Sequence, residues 1–260
     1  MTYEWIRFTK GDGIATIALG SPENFNAMSE PLAKELCDAL DRCAFDDAIR
    51  AIILCGEGKA FCAGGDVRAM KEGLDEGDAY RLARIVRGVG TAALKIRGLP
   101  KPVVASIHGA AAGAGWSLAL LCDFRVASEE VRFVEAFAGL GLVPDMGGTY
   151  LLSRYIGLGR LTEFIMTGGV IDARQALEMG LVNKVVLRDQ LEEESRTLAR
   201  NLAAMSGEGL AKSKFLINQT LFADLALALQ REEEYQSELS RGRDYREGVE
   251  AFIQKRPPKF

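Results

Sequence analysis

HGAAAGAGWSLALLCD, residues 108–123, is the stretch of sequence that decides how this chain folds. Glycine and alanine dominate its first half, where an apolar strand pattern at residues 103–107 changes into a helical one. Small residues let a ligand approach the backbone closely, and N–H groups at a helix N-terminus stabilise negative charge. The stretch therefore predicts a strand, a loop that can bind an anion, and a helix.

A second stretch, FVEAFAGLGLVPDMGGT at residues 133–149, carries a lone carboxylate, Asp145. The carboxylate stands in a loop rich in proline and glycine, directly before another helix-like segment, and such loops often hold functional residues. An aspartate in this position also fits a helix N-cap or a turn. The functional interpretation is an acid/base that faces the anion-binding loop.

The composition is that of a globular protein. Hydrophobic residues make up 48% of the 260 residues and charged residues 26%. No apolar run approaches the roughly 20 residues that span a bilayer, and the first residues lack the apolar run of a signal peptide. We expect a cytoplasmic protein that does not interact with membranes.

Charge, cysteine and histidine content exclude several functions. The net charge of -4 gives no basic surface for nucleic acid. The five cysteines form no CxxC pair, and a single histidine, His108, leaves no multi-histidine metal site. We expect no metal and no nucleic-acid partner, so any chemistry must rest on carboxylates and backbone groups.

The chain alternates strands with helices up to about residue 188. Apolar runs predict strands at residues 14–19, 51–55, 103–107 and 124–127. A helix capped by Ser29 is expected to reach residue 43, and a long amphipathic helix is expected over residues 75–98. The continuous apolar run at 51–55 is typical of a sheet that is covered on both faces.

We divide the chain into an α/β core, residues 1–188, and a helical C-terminal region, residues 189–260. The C-terminal pattern is helical with breaks near Gly207 and Gly242. Apolar stripes, such as that of a helix predicted over residues 221–229, need a partner surface. An oligomer interface would supply it.

Three motifs, taken in order, resemble the enoyl-CoA hydratase/isomerase (crotonase) superfamily. They are KAFCAGGD at 59–66, the stretch at 108–123, and LGLVPDMGGT at 140–149. The likeness continues through residues 166–186 and the tail at 246–260. It implies a spiral of β/β/α units with an acyl-CoA thioester bound in the core, residues 1–188. It also implies a homo-trimer or hexamer, with a helical region, residues 189–260, that serves trimerisation and closes the coenzyme A pocket. Coenzyme A is then part of the substrate, and no separate cofactor is expected.

The resemblance also assigns the candidate site. The backbone N–H groups of Gly65 and Ala114 correspond to the oxyanion hole, which stabilises a thioester enolate. Phe252 and Lys255 are expected to reach coenzyme A from a neighbouring subunit. The expected substrate-binding residues are Ala60, Ala63, Gly64, Asp66, Trp116, Ser117 and Phe137. Of these, Trp116 fits the core as well as the acyl pocket, Ser117 also fits simple helix packing, and Asp66 also fits a loop-stabilising role.

Departures from the family pattern limit the types of reaction that this chain can catalyse. Hydratases of this family use two glutamates, and the matching positions here are Ser117 and Phe137, which cannot activate water. Asp145 matches the acid/base of the branch that contains 1,2-epoxyphenylacetyl-CoA isomerase and enoyl-CoA isomerases. One carboxylate suffices for an isomerase, because it can take a proton from one carbon and return it to another. The sequence therefore favours a double-bond or ring isomerase.

Three other interpretations stay open. An aspartate at this position is a nucleophile in the 4-chlorobenzoyl-CoA dehalogenase branch, which favours a hydrolase or dehalogenase; that branch pairs it with a histidine, and only His108 is present here. An atypical enoyl-CoA hydratase and a non-catalytic acyl-CoA binding protein are the other two. Cys62 lies beside the glycine loop but has no basic partner except Lys59, which argues against a thiol nucleophile.

Overall fold

The computed structural model describes residues 3–260, and its framework is a six-stranded sheet in the order β1-β2-β3-β4-β6-β9. The strand β1 runs antiparallel to β2, and the other neighbours are parallel. A smaller sheet has the order β5-β7-β8. The strands are Ile6–Gly11 (β1), Ile14–Leu19 (β2), Ala51–Gly56 (β3), Val103–Ile107 (β4), Ala110–Ala112 (β5), Phe124–Ser128 (β6), Arg132–Val134 (β7), Val170–Asp172 (β8) and Lys184–Val186 (β9).

Helices cover both faces of the large sheet. The helices are Glu30–Phe45 (α1), Val67–Glu76 (α2), Arg81–Gly98 (α3), Ala114–Leu121 (α4), Gly148–Leu152 (α5), Leu158–Thr167 (α6), Ala173–Glu178 (α7), Leu191–Ala203 (α8), Gly207–Leu221 (α9), Leu225–Leu239 (α10) and Arg243–Ile253 (α11). Along β3, Ile52 and Leu54 join the main core with α1 and α3, whereas Ile53 joins a second cluster with α8. Alternate residues of one strand thus serve two cores, as its continuous apolar run predicted.

The structure corrects two predicted helices. The long helix over residues 75–98 is two helices, because Gly77 adopts a left-handed conformation (φ 71°) that ends α2. The prediction of one helix over residues 221–229 is wrong as well, since α9 ends at Leu221 and α10 begins at Leu225. Between them Phe222 leaves the helical conformation (φ -128°), and its ring packs 4.8 Å from the Arg97 guanidinium.

The C-terminal helices pack against the α/β core of their own chain. Helix α8 covers one face of the large sheet, α10 packs on α3, and α11 packs on α2. On α9, the side chains of Phe215, Leu216 and Ile217 are exposed. The division at residue 188 and the oligomer interface stay predictions. Within residues 3–260, no helix is long and apolar enough to cross a membrane.

A buried ionic network joins α9 to the core. Lys214 Nζ donates to Asp123 Oδ2 at 2.7 Å, to the Ile96 carbonyl at 2.9 Å and to the Lys101 carbonyl at 3.2 Å. Asp123 also pairs with Arg97 at 3.0 Å. Burial lowers the pKa of Lys214, and the charge of Asp123 opposes that shift. The ammonium group therefore depends on its partners to stay charged in the interior.

We expect Lys214→Met to lower the free energy of unfolding by about 3 kcal/mol, because it leaves part of the Asp123 charge uncompensated in a buried site. Urea denaturation at pH 7 measures the change. Lys212→Met is the matched control, since Lys212 is exposed on the same helix and pairs only with Glu208. Equal stability of the two variants would show that the network contributes nothing specific.

Candidate active site

The two predicted oxyanion loops are joined by a short parallel pairing. Cys62 N donates to the Ala110 carbonyl at 3.2 Å, and Ala112 N donates to the Cys62 carbonyl at 2.9 Å. This pairing sets Cys62 opposite Ala111. Gly65 and Ala114 lie three residues beyond this pair on their respective segments. The register of the backbone therefore brings the two predicted donors to the same place.

Glycine is required where the loops touch. A Cβ on Gly115 would lie 2.2 Å from the Cys62 carbonyl oxygen, and one on Gly64 would lie 2.7 Å from the Ala112 carbonyl oxygen. Gly64 also has a φ of 92°, which a residue with a side chain rarely adopts. A larger residue at either position would separate the loops and with them the N–H groups of Gly65 and Ala114.

Both N–H groups are available to a ligand. Among the described residues, neither Gly65 N nor Ala114 N donates a hydrogen bond to a protein acceptor. Ala114 is the first residue of α4, so its N–H has no partner within the helix, and the helix dipole adds positive potential there. The pair is suited to bind an oxygen that gains negative charge.

A cavity of about 770 Å³ lies in front of these loops. Besides Asp145, its wall includes six residues named from the sequence; Ala114 is not on the wall, whereas its neighbour Gly113 is. The six are Ala63, Gly64, Gly65, Phe137, Phe252 and Lys255. Asp145 lies on the same wall. Asp145 and the glycine loops that carry the unpaired N–H groups therefore line one cavity.

Asp145 has no hydrogen-bond partner that would hold or neutralise its side chain. It is 7% exposed, and its Oδ1 is buried without a partner in the part of the chain that the structure describes. Burial raises the pKa of Asp145 to about 7. The N-cap interpretation is wrong, because Gly147 precedes α5 and no side chain caps that helix. A buried, unpaired carboxyl group that titrates near neutrality is typical of an acid/base.

Trp116 and Ser117 are corrections to the predicted pocket. The Trp116 ring is buried behind the wall and packs edge-on against Phe137, at a centroid distance of 6.5 Å, and against Phe164 at 5.5 Å. The Ser117 hydroxyl is fully buried, and neither residue lines the cavity. Both belong to the internal face of α4, which is buried along its whole length.

Asp66 and Ala60 also lie off the wall. The Asp66 carboxylate caps α2 by accepting from Arg68 N at 3.0 Å and Ala69 N at 3.2 Å, and it accepts from Asn24 Nδ2 at 2.8 Å. The Ala60 carbonyl accepts from Asn26 Nδ2 at 2.8 Å. Asp66 therefore has the loop-stabilising role that was its alternative interpretation, and both residues shape the glycine loop from behind.

The C-terminal tail reaches the cavity of its own chain, and its contact with a neighbouring subunit stays a prediction. Phe252 and Lys255 line the cavity of their own chain, whereas the sequence led us to expect them from a neighbouring subunit. Helix α11 turns the tail back over the site. Arg68 and Arg256 lie on the same wall, and neither Lys255 nor Arg68 has an ion-pair partner among residues 3–260. These cations are suited to phosphate groups at the cavity mouth.

Sequence reasoning missed two polar residues of α10 beside the Asp145 loop. Glu232 Oε2 accepts from Gly147 N at 2.8 Å, and Gln236 Nε2 donates to the Val143 carbonyl at 2.6 Å. Burial and the charge of Asp145 raise the pKa of Glu232 to about 8. In the sequence Glu232 belongs to the run REEEYQ, which is typical of a solvent-exposed helix face, so no local signal separates it from its neighbours.

Cys62 and His108 stand apart from this chemistry. Burial raises the pKa of the Cys62 thiol to about 12, which agrees with the argument against a thiol nucleophile. His108 Nε2 lies 3.0 Å from the Gly58 carbonyl, which can only accept, and the ring lines a separate surface pocket. Within the described chain, no group of three or more His, Cys, Asp or Glu side chains is placed to hold a metal ion.

Comparisons with known proteins agree with this fold. The sequence model of a family described as enoyl-CoA hydratase/isomerase matches residues 9–260. Trans-2-decenoyl-acyl-carrier-protein isomerase of Streptococcus mutans is 36% identical over 100% of this chain and 99% of its own. The 1,2-epoxyphenylacetyl-CoA isomerase of Escherichia coli is 38% identical over 95% of each chain.

A solved structure gives the same architecture. The crystal structure of an enoyl-CoA hydratase from Mycobacterium avium subsp. paratuberculosis matches with a TM-score of 0.90 at 32% identity, over 100% of this chain and 99% of that one. The glycine loops and the mixed α/β framework are therefore the crotonase fold, and this chain belongs to the enoyl-CoA hydratase/isomerase family.

Proposed function

We propose that this protein is an acyl-CoA isomerase that shifts a double bond, or rearranges a ring, by proton transfer through Asp145. One observation carries the proposal: a buried carboxylate with no partner among residues 3–260 lies on the wall of the cavity that Gly65 and Gly113 also line, and the N–H groups of Gly65 and of the next residue, Ala114, have no acceptor within that range. The carboxylate supplies a base, and the N–H groups supply the charge stabilisation that the base needs.

The reaction needs no group beyond these. The Asp145 carboxylate takes a proton from a carbon next to the double bond of the acyl chain. The electron pair that remains spreads onto the thioester oxygen, which the N–H groups of Gly65 and Ala114 hold. The protonated Asp145 then returns the proton to a different carbon, so the double bond moves and the carboxylate is restored.

The rest of the wall favours isomerisation over hydration. Phe137 replaces one hydratase glutamate and presents an apolar ring to the cavity, and Ser117 replaces the other but is buried off the wall. An apolar wall excludes the water that would intercept an enolate. The names of two relatives, both isomerases, support the same choice.

A hydrolase or dehalogenase that uses Asp145 as a nucleophile is less well supported. His108 is the only histidine of the chain and lies in a different pocket. A purely binding protein is disfavoured on energetic grounds, because an unpaired carboxylate in the interior lowers stability and is usually retained for chemistry.

Asp145→Asn should lower turnover of a 3-enoyl-CoA to the conjugated 2-enoyl-CoA by about 10² to 10⁴-fold, because the amide cannot accept the substrate proton. The absorbance of the conjugated thioester measures the reaction over a panel of acyl lengths. Affinity for saturated acyl-CoA, measured by calorimetry, should stay close to that of the parent. Normal turnover by this variant would exclude Asp145 as the base.

We expect kcat/KM of the parent to rise with pH to a plateau, with a midpoint near 7. Only the ionised form of Asp145 can accept a proton, and burial raises its pKa to about 7. The profile of kcat/KM reports groups of the free enzyme. A profile that is already flat at pH 5 would contradict the assignment of this pKa.

Asp145→Asn should also stabilise the protein at pH 8. The folded-state pKa of Asp145 is raised to about 7 from its ordinary value of 3.8, so the folded protein binds the proton more tightly than the unfolded chain. Stability is therefore lost as pH rises from about 4 to 7. Urea denaturation should show a gain of a few kcal/mol for the variant at pH 8 and little or no gain at pH 4. An equal gain at both values would show that the charge is not its cause.

A further inference from the structure

Helix α10 contacts the backbone of the Asp145 loop at two points. Gln236 Nε2 donates to the Val143 carbonyl, and Gly147 N donates to Glu232 Oε2. The two side chains are four residues apart on the helix and so project from the same face. Their partners stand two residues before and two residues after Asp145. The two contacts therefore flank the candidate base in sequence, one on each side.

The loop has little else to fix its shape. Met146 and Gly147 adopt left-handed conformations, with φ of 58° and 79°, and such a conformation is unfavourable for methionine. Within the loop, Gly148 N donates to the Asp145 carbonyl at 2.9 Å, and Pro144 has no N–H to donate. The approach of α10 is close, since a Cβ on Gly147 would lie 2.8 Å from Leu225 Cδ1.

Asp145 cannot hold its own position. Its Oδ1 has no hydrogen-bond partner in the described part of the chain, so no such bond fixes that atom of the carboxylate. The direction in which it points is set by the backbone of residues 143–147. A base must lie within hydrogen-bond reach of the proton that it takes, and a shift of about 1 Å can cost about 100-fold in rate.

We propose that Glu232 and Gln236 are positioning residues for Asp145, so that α10 of the C-terminal region sets the geometry of proton transfer. The proposal rests on the isomerase function proposed above. It assigns a catalytic consequence to two residues outside the α/β core, of which Glu232 lies off the cavity wall and Gln236 lines it.

Each hydrogen bond determines which atom of the side chain faces the loop. A backbone carbonyl only accepts, so the amide nitrogen of Gln236 must face Val143. Its Oε1 then faces away and is buried without a partner among residues 3–260. At Glu232 an N–H donates to the carboxyl group, and a neutral carboxyl group or an amide can accept that bond equally well. Glu232→Gln should therefore preserve the contact, whereas Glu232→Ala removes it.

The test compares four variants of the full chain in the 3-enoyl-CoA assay at pH 7. Glu232→Ala and Gln236→Met should each lower kcat by about 10- to 100-fold with KM within about 3-fold of the parent. Glu232→Gln should stay within about 3-fold of the parent in both constants, because it restores the acceptor. Glu238→Ala is the matched control and should behave as the parent. Glu238 is exposed on α10, and its side chain has no hydrogen-bond or ion-pair partner within the described chain.

Thermal unfolding and calorimetric binding of a saturated acyl-CoA accompany each variant. Loss of kcat in a variant that stays folded and binds the saturated thioester supports positioning. A kcat of Glu232→Ala equal to that of the parent would overturn the proposal. Equal losses in Glu232→Ala and Glu232→Gln would overturn it too, since the carboxyl group itself would then be required.

Two further outcomes distinguish loop positioning from substrate binding and from a different function of the protein. A rise in KM without loss of kcat in Gln236→Met would mean that Gln236 binds the substrate instead of positioning the loop, which overturns its part of the proposal. Full activity of Asp145→Asn would refute the proposed function itself, whatever the α10 variants do. The two failures can therefore be told apart in the same set of measurements.

Discussion

The close approach of two backbone loops is the constraint on which the rest of this structure depends. Gly115 lies so near the Cys62 carbonyl, and Gly64 so near the Ala112 carbonyl, that neither position can hold a side chain. That contact brings together the segments that carry Gly65 and Ala114, and Gly65 and Gly113 line the cavity. Backbone N–H groups rarely stay unpaired in a protein interior. Neither of these two N–H groups has a protein acceptor among residues 3–260, which leaves them able to bind a ligand oxygen.

Asp145, on the cavity wall, is the acid/base that would act together with these N–H donors. Burial without a partner raises the pKa of Asp145 to about 7, and the same burial lowers the stability of the folded chain once the group ionises. The loop that carries it contains left-handed residues and few bonds of its own. Glu232 and Gln236 supply bonds from outside the loop. A buried charge without a partner, in a loop that is fixed by hydrogen bonds from another helix, lowers stability, and proteins retain such destabilising features at functional sites.

The C-terminal region therefore belongs to the site as well as to the surface. Helix α10 contacts the Asp145 loop, and α11 carries Phe252 and the tail to the cavity wall. Sequence reasoning assigned this region to oligomerisation, because its apolar stripes need a partner, and the family resemblance added closure of the coenzyme A pocket. Part of that partner is the α/β core of the same chain. The exposed apolar side chains of α9 still leave a surface that an oligomer could cover.

The sequence by itself determined the strands, the glycine loops and the candidate residues Gly65, Ala114 and Asp145, because local spacing and small residues limit what a backbone can do there. It could not determine that α4 is buried on every side and lines no part of the cavity, so Trp116 and Ser117 were assigned to the pocket although both are buried off its wall. It could not select Glu232 from a run of glutamates, nor place Phe252 in its own chain. These facts depend on contacts between segments far apart in sequence, and only the packing of α10 and α11 on the core decides them.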